Sequence, residues 1–145
     1  MSKLISHRGN INGPDPGREN TTCYIQEALD SGYDVEIDVW IDGTSIYLGH
    51  DFPENKITLE WLLKRSESLW VHCKNIPALI YLKDYPTLNV FWHQSDLVTI
   101  TTRGFVWAYP GNQPIKNSIA VLPEVYEDPV EGCYGICSDY ISLYR

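Results

Sequence analysis

Basic residues are scarce in this chain, where eleven Lys and Arg stand against nineteen Asp and Glu for a formal net charge of −8. Surplus negative charge repels nucleic acid backbones and anionic membrane surfaces, so nucleic acid is not an expected partner. Apolar runs are also short, and none approaches the roughly 20 residues of a transmembrane helix. Charged Arg8 comes too early for a signal peptide. The sequence therefore predicts a cytoplasmic protein without a membrane span.

Cysteine is scarce as well, with four residues in 145. Only Cys133 and Cys137 are close in sequence, and one C-x-x-x-C spacing without a second pair is a weak indication of zinc. Disulfide-stapled domains are usually smaller and richer in Cys, so we expect reduced thiols. Apolar residues, in contrast, make up 43% of the chain. That content and the length predict one domain spanning residues 1–145.

Short segments rich in Val, Ile and aromatic residues alternate with helical patterns in the first half of the chain. Helices are predicted at 19–32, 58–66 and 76–85. Asp42-Gly43 favours a hairpin, and after Asn89 little room remains for helices between the strands. The alternation predicts a parallel sheet with right-handed crossovers in one α/β domain. Strands are predicted at 3–6, 33–40, 45–50, 69–73, 89–93, 104–109, 118–123 and 134–139.

Polar side chains interrupt two of the apolar strands with the same spacing. Residues two apart in a strand share a face, so Glu36 and Asp38 point the same way. His72 and Lys74 repeat this arrangement on the next main strand. Burying an unpaired charge costs several kcal/mol, so the carboxylates must meet a cation, a hydrogen-bonding network or water.

Further polar residues follow other strands. His7 and Arg8 come after the first strand, His50 after the third, and His93 ends a later one. In a parallel α/β barrel the carboxyl ends of the strands form the active-site face, where we expect all four histidines. The alternative is a sheet whose polar positions simply face water, and His93 could equally be an ordinary histidine at the edge of the core. Three polar residues at later strand ends are interpreted as loop residues: Tyr109, Glu124 and Asp139.

These residue types suit the cleavage of a phosphodiester. Two imidazoles with pKa values near ~6.5 can serve as general base and general acid at neutral pH. Paired carboxylates bind a divalent cation, and Arg and Lys bind anionic substrate oxygens. A metal would neutralise the non-bridging oxygens while one histidine activates the attacking hydroxyl and the other protonates the leaving oxygen.

Four motifs occur in order: I-S-H-R-G at 5–9, P-G-R-E-N-T at 16–21, D-V-E-I-D-V-W-I-D-G at 34–43 and L-G-H-D at 48–51. Together they resemble the glycerophosphodiester phosphodiesterases, within the wider group of phospholipase C-like phosphodiesterases. The resemblance implies a hydrolase of lipid metabolism with a TIM-type barrel and one divalent metal ion, commonly Mg²⁺ or Ca²⁺. Such barrels typically take ~250 residues. We therefore expect a contracted TIM-type (β/α) barrel with a reduced helical layer in its second half.

The resemblance also implies roles for individual residues. His7 and His50 correspond to the acid–base pair, and Glu36 and Asp38 to metal ligands. Arg8 corresponds to a phosphate-binding arginine, and the charge of the lysine on the third main strand suits the same task. The residues expected to bind phosphate or line the site are Arg8, Lys74, Glu19, Asn20 and His93.

One position departs from the family pattern. The family usually has an acidic residue two before the lysine of the third main strand, whereas this chain has His72 before Lys74. The metal is then held by fewer carboxylates, or His72 ligates it and favours Mn²⁺ or Zn²⁺.

The leading functional hypothesis is a hydrolase of a small polar phosphodiester, because the chain has no evident apolar cap for lipid tails. One alternative is a lyase that releases a cyclic phosphate. Another is a barrel that binds phosphate without turnover, but retention of both His7 and His50 argues against it. Missing outer helices would expose apolar surface, which a homodimer could cover.

Overall fold

The structure is a computed structural model that describes residues 2–145. Within that range the chain forms ten strands and three α-helices, with three short 3₁₀ turns. The strands are β1 Lys3–His7, β2 Asp34–Asp42, β3 Ser45–Leu48, β4 Asn55–Ile57, β5 Leu69–Cys73, β6 Asn89–Trp92, β7 Val98–Ile100, β8 Val106–Ala108, β9 Ile119–Val121 and β10 Gly135–Ser138. The helices are α1 Thr22–Asp30, α2 Leu59–Lys64 and α3 Ile76–Leu82.

Each helix begins at a side chain that caps its free backbone N–H groups. Thr21 accepts a hydrogen bond from the Tyr24 N–H before α1, and Thr58 accepts one from the Trp61 N–H before α2. Asn75 does the same for α3. Such caps typically contribute ~1 kcal/mol. The three predicted helices are confirmed, although each is shorter than its predicted segment because the flanking polar residues form caps and turns.

One curled sheet contains all ten strands. Seven strands run parallel in the order β6-β5-β2-β1-β10-β9-β8. The strand β7 lies antiparallel on β8, and β3 and β4 extend the far end of β2 as an antiparallel meander. The predicted hairpin between β2 and β3 is therefore confirmed. All eight predicted strands are present, while the three-residue strands β4 and β7 were not predicted.

The expected TIM-type barrel is wrong. The fold is mostly sheet, a curled half-barrel with three short helices, and it lacks the strand–helix alternation of a TIM barrel. All three α-helices precede β6, and the later strands are joined by loops and 3₁₀ turns. Within residues 2–145 no hydrogen-bonded ladder joins β6 to β7, so the sheet stays open there. Short connections between the later strands leave no length for the helices that would form an outer ring.

The two faces of the sheet carry different cores. Val35, Ile37 and Val39 of β2 pack on the convex side against the helices. On the concave side a separate cluster includes Trp70 and Trp107. Because strand side chains alternate, the acidic residues between those valines and isoleucine face the concave side, where the aromatic cluster forms the floor.

Two further expectations concern membranes and thiols. No helix within residues 2–145 combines the length and the apolar character needed to cross a bilayer. All four cysteines are free thiols, as the sequence predicted; Cys73 and Cys137 are buried, Cys133 is half-buried and Cys23 is exposed.

Candidate active site

A cavity of about 560 Å³ opens at the carboxyl ends of the parallel strands. Two of the predicted site residues, Glu19 and Asn20, line a neighbouring pocket instead. Glu19 contacts Arg8 and Asn20 contacts Asp38, and both Arg8 and Asp38 line the cavity. The residues that line the cavity thus come from the ends of β1, β2 and β5 and from the loops after β3 and β6. The predicted residues that line the cavity are His7, Arg8, Glu36, Asp38, His50, His72, Lys74 and His93.

Asp38 is fully buried and surrounded by donors. Its Oδ2 lies 3.2 Å from Arg8 Nε and accepts a hydrogen bond of 2.9 Å from Asn20 Nδ2, while its Oδ1 lies 3.1 Å from His72 Nδ1. Burial alone would raise the pKa of Asp38, but the interactions with His50, His72 and Arg8 hold it well below its ordinary value. Asp38 is therefore a stable carboxylate.

Glu36 is 3% exposed and lacks comparable partners. Among residues 2–145 its Oε1 has no hydrogen-bond partner, and His7 Nε2 lies 3.7 Å away. Burial, and then the neighbouring charge of Asp38, raise the pKa of Glu36 well above its ordinary value. A buried carboxylate oxygen aimed into a polar cavity without a donor is the kind of group that a bound cation satisfies.

Three side chains could hold that cation together. One ligand atom from each of Glu36, Asp38 and His72 lies within 4.8 Å of the others. The donor set of two carboxylates and one imidazole, with the unpartnered Glu36 Oε1, fits a single divalent ion. Lys74 lines the same cavity, and its positive charge lowers the pKa of Glu36, although less than burial raises it.

His7 is held by a carboxylate from the other end of the chain. Its Nδ1 lies 2.7 Å from Asp139 Oδ1, which also accepts a hydrogen bond of 2.9 Å from Asn10 Nδ2. Burial would raise the pKa of Asp139, but the hydrogen bond from His7 and its charge keep it below its ordinary value. A carboxylate only accepts, so Nδ1 carries the proton and Nε2 is free as a base.

Asp139 lies in the turn after β10, as the sequence interpretation had it, but its contact with His7 was not predicted. It follows β10, which pairs in parallel with β1 so that Ser138 lies opposite Ser6. The next residue on each strand is then Asp139 and His7, which explains their contact. The strand-end position was the available signal, but the pairing of the two strands was not visible in the sequence.

Arg8 contacts both an acidic residue and one of the cavity histidines. Its guanidinium donates to Glu19 at 3.2 Å and lies 3.3 Å from His50 Nε2. Guanidinium nitrogens only donate, so this contact requires an unprotonated Nε2 on His50. The backbone of Arg8 has a φ of 59°, an uncommon left-handed conformation for a residue other than glycine. Such strain is frequent where side chains are aimed at a ligand.

Gly9 allows this sharp bend after β1. Its φ is 98°, and an added Cβ would lie 2.6 Å from Tyr24 Cδ2. Glycine tolerates both the conformation and the close packing, so the third residue of the H-R-G motif has a structural role.

Aromatic side chains, here called the aromatic wall, also line the cavity. Trp40, Trp92 and Tyr109 line it, and the His93 ring stacks on Tyr109 with 3.4 Å between ring centroids. Burial and the neighbouring His72 lower the pKa of His93 to about 4, so its ring is neutral at pH 7. Tyr109, interpreted from the sequence as a loop residue, is thus part of the cavity. Glu124 instead accepts a hydrogen bond from Ser138.

The cavity therefore combines an imidazole oriented by a carboxylate, a second imidazole at the rim, two cationic side chains and three residues that could hold a metal ion. Comparisons of the chain with family models, with curated proteins and with solved structures gave no match. Function is therefore inferred from the residues of this cavity.

Proposed function

We propose that this protein is a metal-dependent phosphodiesterase that hydrolyses a small polar phosphodiester of the glycerophosphodiester type. The observation that carries the proposal is the 2.7 Å contact between His7 Nδ1 and Asp139, which leaves His7 Nε2 as a base in a cavity that also holds Arg8 and Lys74. The ordered motifs that resemble the glycerophosphodiester phosphodiesterases support the same chemistry.

The anionic phosphate would bind to the two cationic side chains of the cavity. Arg8 offers a planar set of donors, and Lys74 offers a point charge at the end of β5. Because the protein carries a net charge of −8, these local cations matter more for an anionic substrate than its overall field does. A divalent ion held by Glu36, Asp38 and His72 would neutralise further charge on the non-bridging oxygens.

His7 is suited to take the proton from the attacking hydroxyl. The Asp139 carboxylate fixes the tautomer and stabilises the imidazolium that forms when Nε2 accepts a proton. Only 13% of the His7 side chain is exposed, so bulk water does not compete strongly for that nitrogen.

His50 is suited to protonate the leaving oxygen. Its side chain is 44% exposed at the rim, within reach of water. The contact from Arg8 keeps Nε2 unprotonated in the free protein, so His50 can carry a proton there only after Arg8 shifts toward a bound phosphate. Substrate binding would thereby prepare the acid.

The leaving group would lie along the aromatic wall. Trp40 is fixed there by its indole N–H, which donates to the Gly49 carbonyl at 2.6 Å. A wall of rings and few charges suits a small alcohol with an apolar edge more than a second anionic group.

The test is a substrate panel with the metal-loaded protein, using glycerophosphodiesters and a nitrophenyl phosphodiester with phosphorus NMR detection. Release of a phosphomonoester supports the proposal, whereas a persistent cyclic phosphate indicates the lyase alternative. If the protein binds phosphodiesters and metal but turns over no member of the panel, the alternative of a protein that binds phosphate without catalysis is favoured. The double variant His7→Ala/His50→Ala is the control for contaminating activity.

Two accompanying proposals are a cytoplasmic location and a homodimer. Exposed apolar side chains on α3, namely Ile76, Ile80 and Tyr81, support the second. Light scattering after size exclusion would measure the mass in solution.

A further inference from the structure

The hydrogen bonding of His72 fixes which of its ring nitrogens faces the carboxylates. Its Nε2 lies 3.3 Å from the backbone carbonyl oxygen of His93. A carbonyl only accepts, so Nε2 carries a hydrogen and donates it. The ring also stacks on Phe91 at 5.1 Å with an interplanar angle of 11°, which limits its rotation. Nδ1 is therefore the atom directed at Asp38 and Glu36.

Nδ1 then needs a partner of its own. It lies 3.1 Å from Asp38 Oδ1 and 4.0 Å from Glu36 Oε2. A lone pair facing two carboxylates is repulsive, so these atoms require a proton, on Nδ1 or on Glu36, or a cation. At 4.0 Å, Glu36 Oε2 is too far from Nδ1 for a proton on it to be shared in a hydrogen bond.

A count of donors favours the cation. A proton on Nδ1 would point at Asp38 Oδ1, which lies 3.1 Å away and has no other hydrogen-bond partner among residues 2–145, and it would satisfy that oxygen alone. Glu36 would remain buried with no hydrogen bond to Oε1 from any residue that the structure describes. One cation among the three ligand atoms satisfies Nδ1 and both carboxylates together.

We infer that this site selects a first-row transition-metal dication, Zn²⁺ or Mn²⁺, over Mg²⁺ and Ca²⁺, with His72 Nδ1 as the selecting ligand. Imidazole nitrogen binds transition metals well, whereas Mg²⁺ and Ca²⁺ prefer oxygen ligands throughout. The His93 carbonyl acts as the outer partner that orients the ligand, a common arrangement for metal-binding histidines. This metal preference deepens the proposed phosphodiesterase function, on which the role of the ion rests.

The experiment measures metal binding rather than turnover. The full chain is stripped with a chelator and titrated calorimetrically with Zn²⁺, Mn²⁺, Mg²⁺ and Ca²⁺ in turn. We expect one site, with Zn²⁺ bound more tightly than Mn²⁺ and both bound at least about tenfold more tightly than Mg²⁺ or Ca²⁺. Electron spin-echo modulation of bound Mn²⁺ should show coupling to an imidazole nitrogen.

Two matched variants identify the nitrogen donor. His72→Glu replaces imidazole by carboxylate, so the nitrogen coupling should vanish and the preference for Zn²⁺ over Mg²⁺ should fall by about tenfold or more. His93→Gln removes the neighbouring imidazole but keeps the backbone carbonyl, so Mn²⁺ affinity and the nitrogen coupling should persist. Circular dichroism checks that both variants are folded.

Equal affinities for Mn²⁺ and Mg²⁺, bound Mn²⁺ without nitrogen coupling, or no binding at millimolar metal would each overturn the inference. In the last case His72 neutralises the carboxylates as an imidazolium. Selective metal binding without cleavage of any phosphodiester would reject the proposed function and keep the metal preference. Cleavage supported equally by Mg²⁺ and Mn²⁺, with no nitrogen coupling, would keep the proposed function and reject the metal preference.

Discussion

Asp139→Asn tests whether the contact with His7 supports catalysis. The substitution keeps the shape of the side chain but replaces a carboxylate by an amide. In the native site Asp139 Oδ1 accepts from His7 Nδ1 at 2.7 Å and from Asn10 Nδ2 at 2.9 Å. Because the same oxygen accepts both bonds, an amide with its oxygen at the Oδ1 position keeps both contacts and leaves the hydrogen of His7 on Nδ1, but it removes the negative charge.

The expected loss follows from the missing charge. Without the carboxylate, the imidazolium that forms when His7 Nε2 takes a proton has no adjacent negative charge to stabilise it, so the contribution of general base catalysis falls. That contribution is typically ~10²–10⁴-fold in kcat, or about 2.7–5.4 kcal/mol of barrier at 1.36 kcal/mol per factor of ten. Folding should survive, because losing a hydrogen bond to a charged group costs ~1.5–3 kcal/mol against a usual total of ~5–15 kcal/mol.

The assay combines kinetics with a direct view of the ring. The kcat and KM for a nitrophenyl phosphodiester are measured, and nitrogen NMR of labelled protein reports which ring nitrogen of His7 carries the hydrogen. Asp30→Asn, the same chemical change at an exposed position on α1, serves as the control. A folded Asp139→Asn protein with a kcat within about threefold of the native value would refute the reasoning. So would a hydrogen found on Nε2 of His7 instead of Nδ1.

Three further predictions concern the same region. His7→Ala and His50→Ala should each lower kcat by ~10²–10⁴-fold with non-additive effects, and a nitrophenyl leaving group should rescue the variant that lacks the acid. Chelator-treated Glu36→Gln should become more stable than the native protein, by ~1–3 kcal/mol, as pH rises from 4.5 to 8, measured by urea unfolding. The reason is that burial raises the pKa of Glu36 in the folded protein. The native protein therefore keeps its full stability below pH 4.5, where this carboxyl group is neutral, and loses stability as the pH rises toward the pKa of the folded state and the group ionises. Gly9→Ala should cost ~1–3 kcal/mol in the same assay, since it strains the left-handed backbone and contacts Tyr24.

Each of these predictions has an opposing outcome. If the effects of the two histidine substitutions on kcat are additive, the two histidines act in independent steps. A stability difference for Glu36→Gln that does not change with pH would show that the carboxyl group does not titrate in this range. A Gly9→Ala protein as stable as the native one would mean that the bend after β1 relaxes freely.

Local pattern was sufficient for the strands, the helices and the acidic pair. Side chains of a strand alternate between its two faces, and five consecutive residues of β2 show that period of two. The apolar residues Val35, Ile37 and Val39 alternate there with Glu36 and Asp38. Helix starts were equally local, since a cap and the N–H groups it binds lie within three residues of each other.

Architecture was not local, and there the sequence misled. Whether parallel strands close into a barrel depends on which edges pair, and each edge here is set by contacts between distant segments. The turn of the chain into β7, antiparallel to β8, rests on three-residue strands that carry too few positions for a periodic signal. The expectation of a barrel came from the resemblance of the early motifs to a family with that fold. The second half of the chain lacks the helices that such a barrel requires.

The sequence by itself determined which side chains of a strand share a face and which residues follow a strand end, because strand periodicity decides that residue by residue. Only the tertiary structure decided how they are paired. Asp139 reaches His7 across 132 residues of chain because β10 lies beside β1, and the His93 carbonyl orients His72 because β6 lies beside β5. Protonation and metal preference depend on distances of a few ångströms between such partners, and those distances exist only once the distant strands have packed.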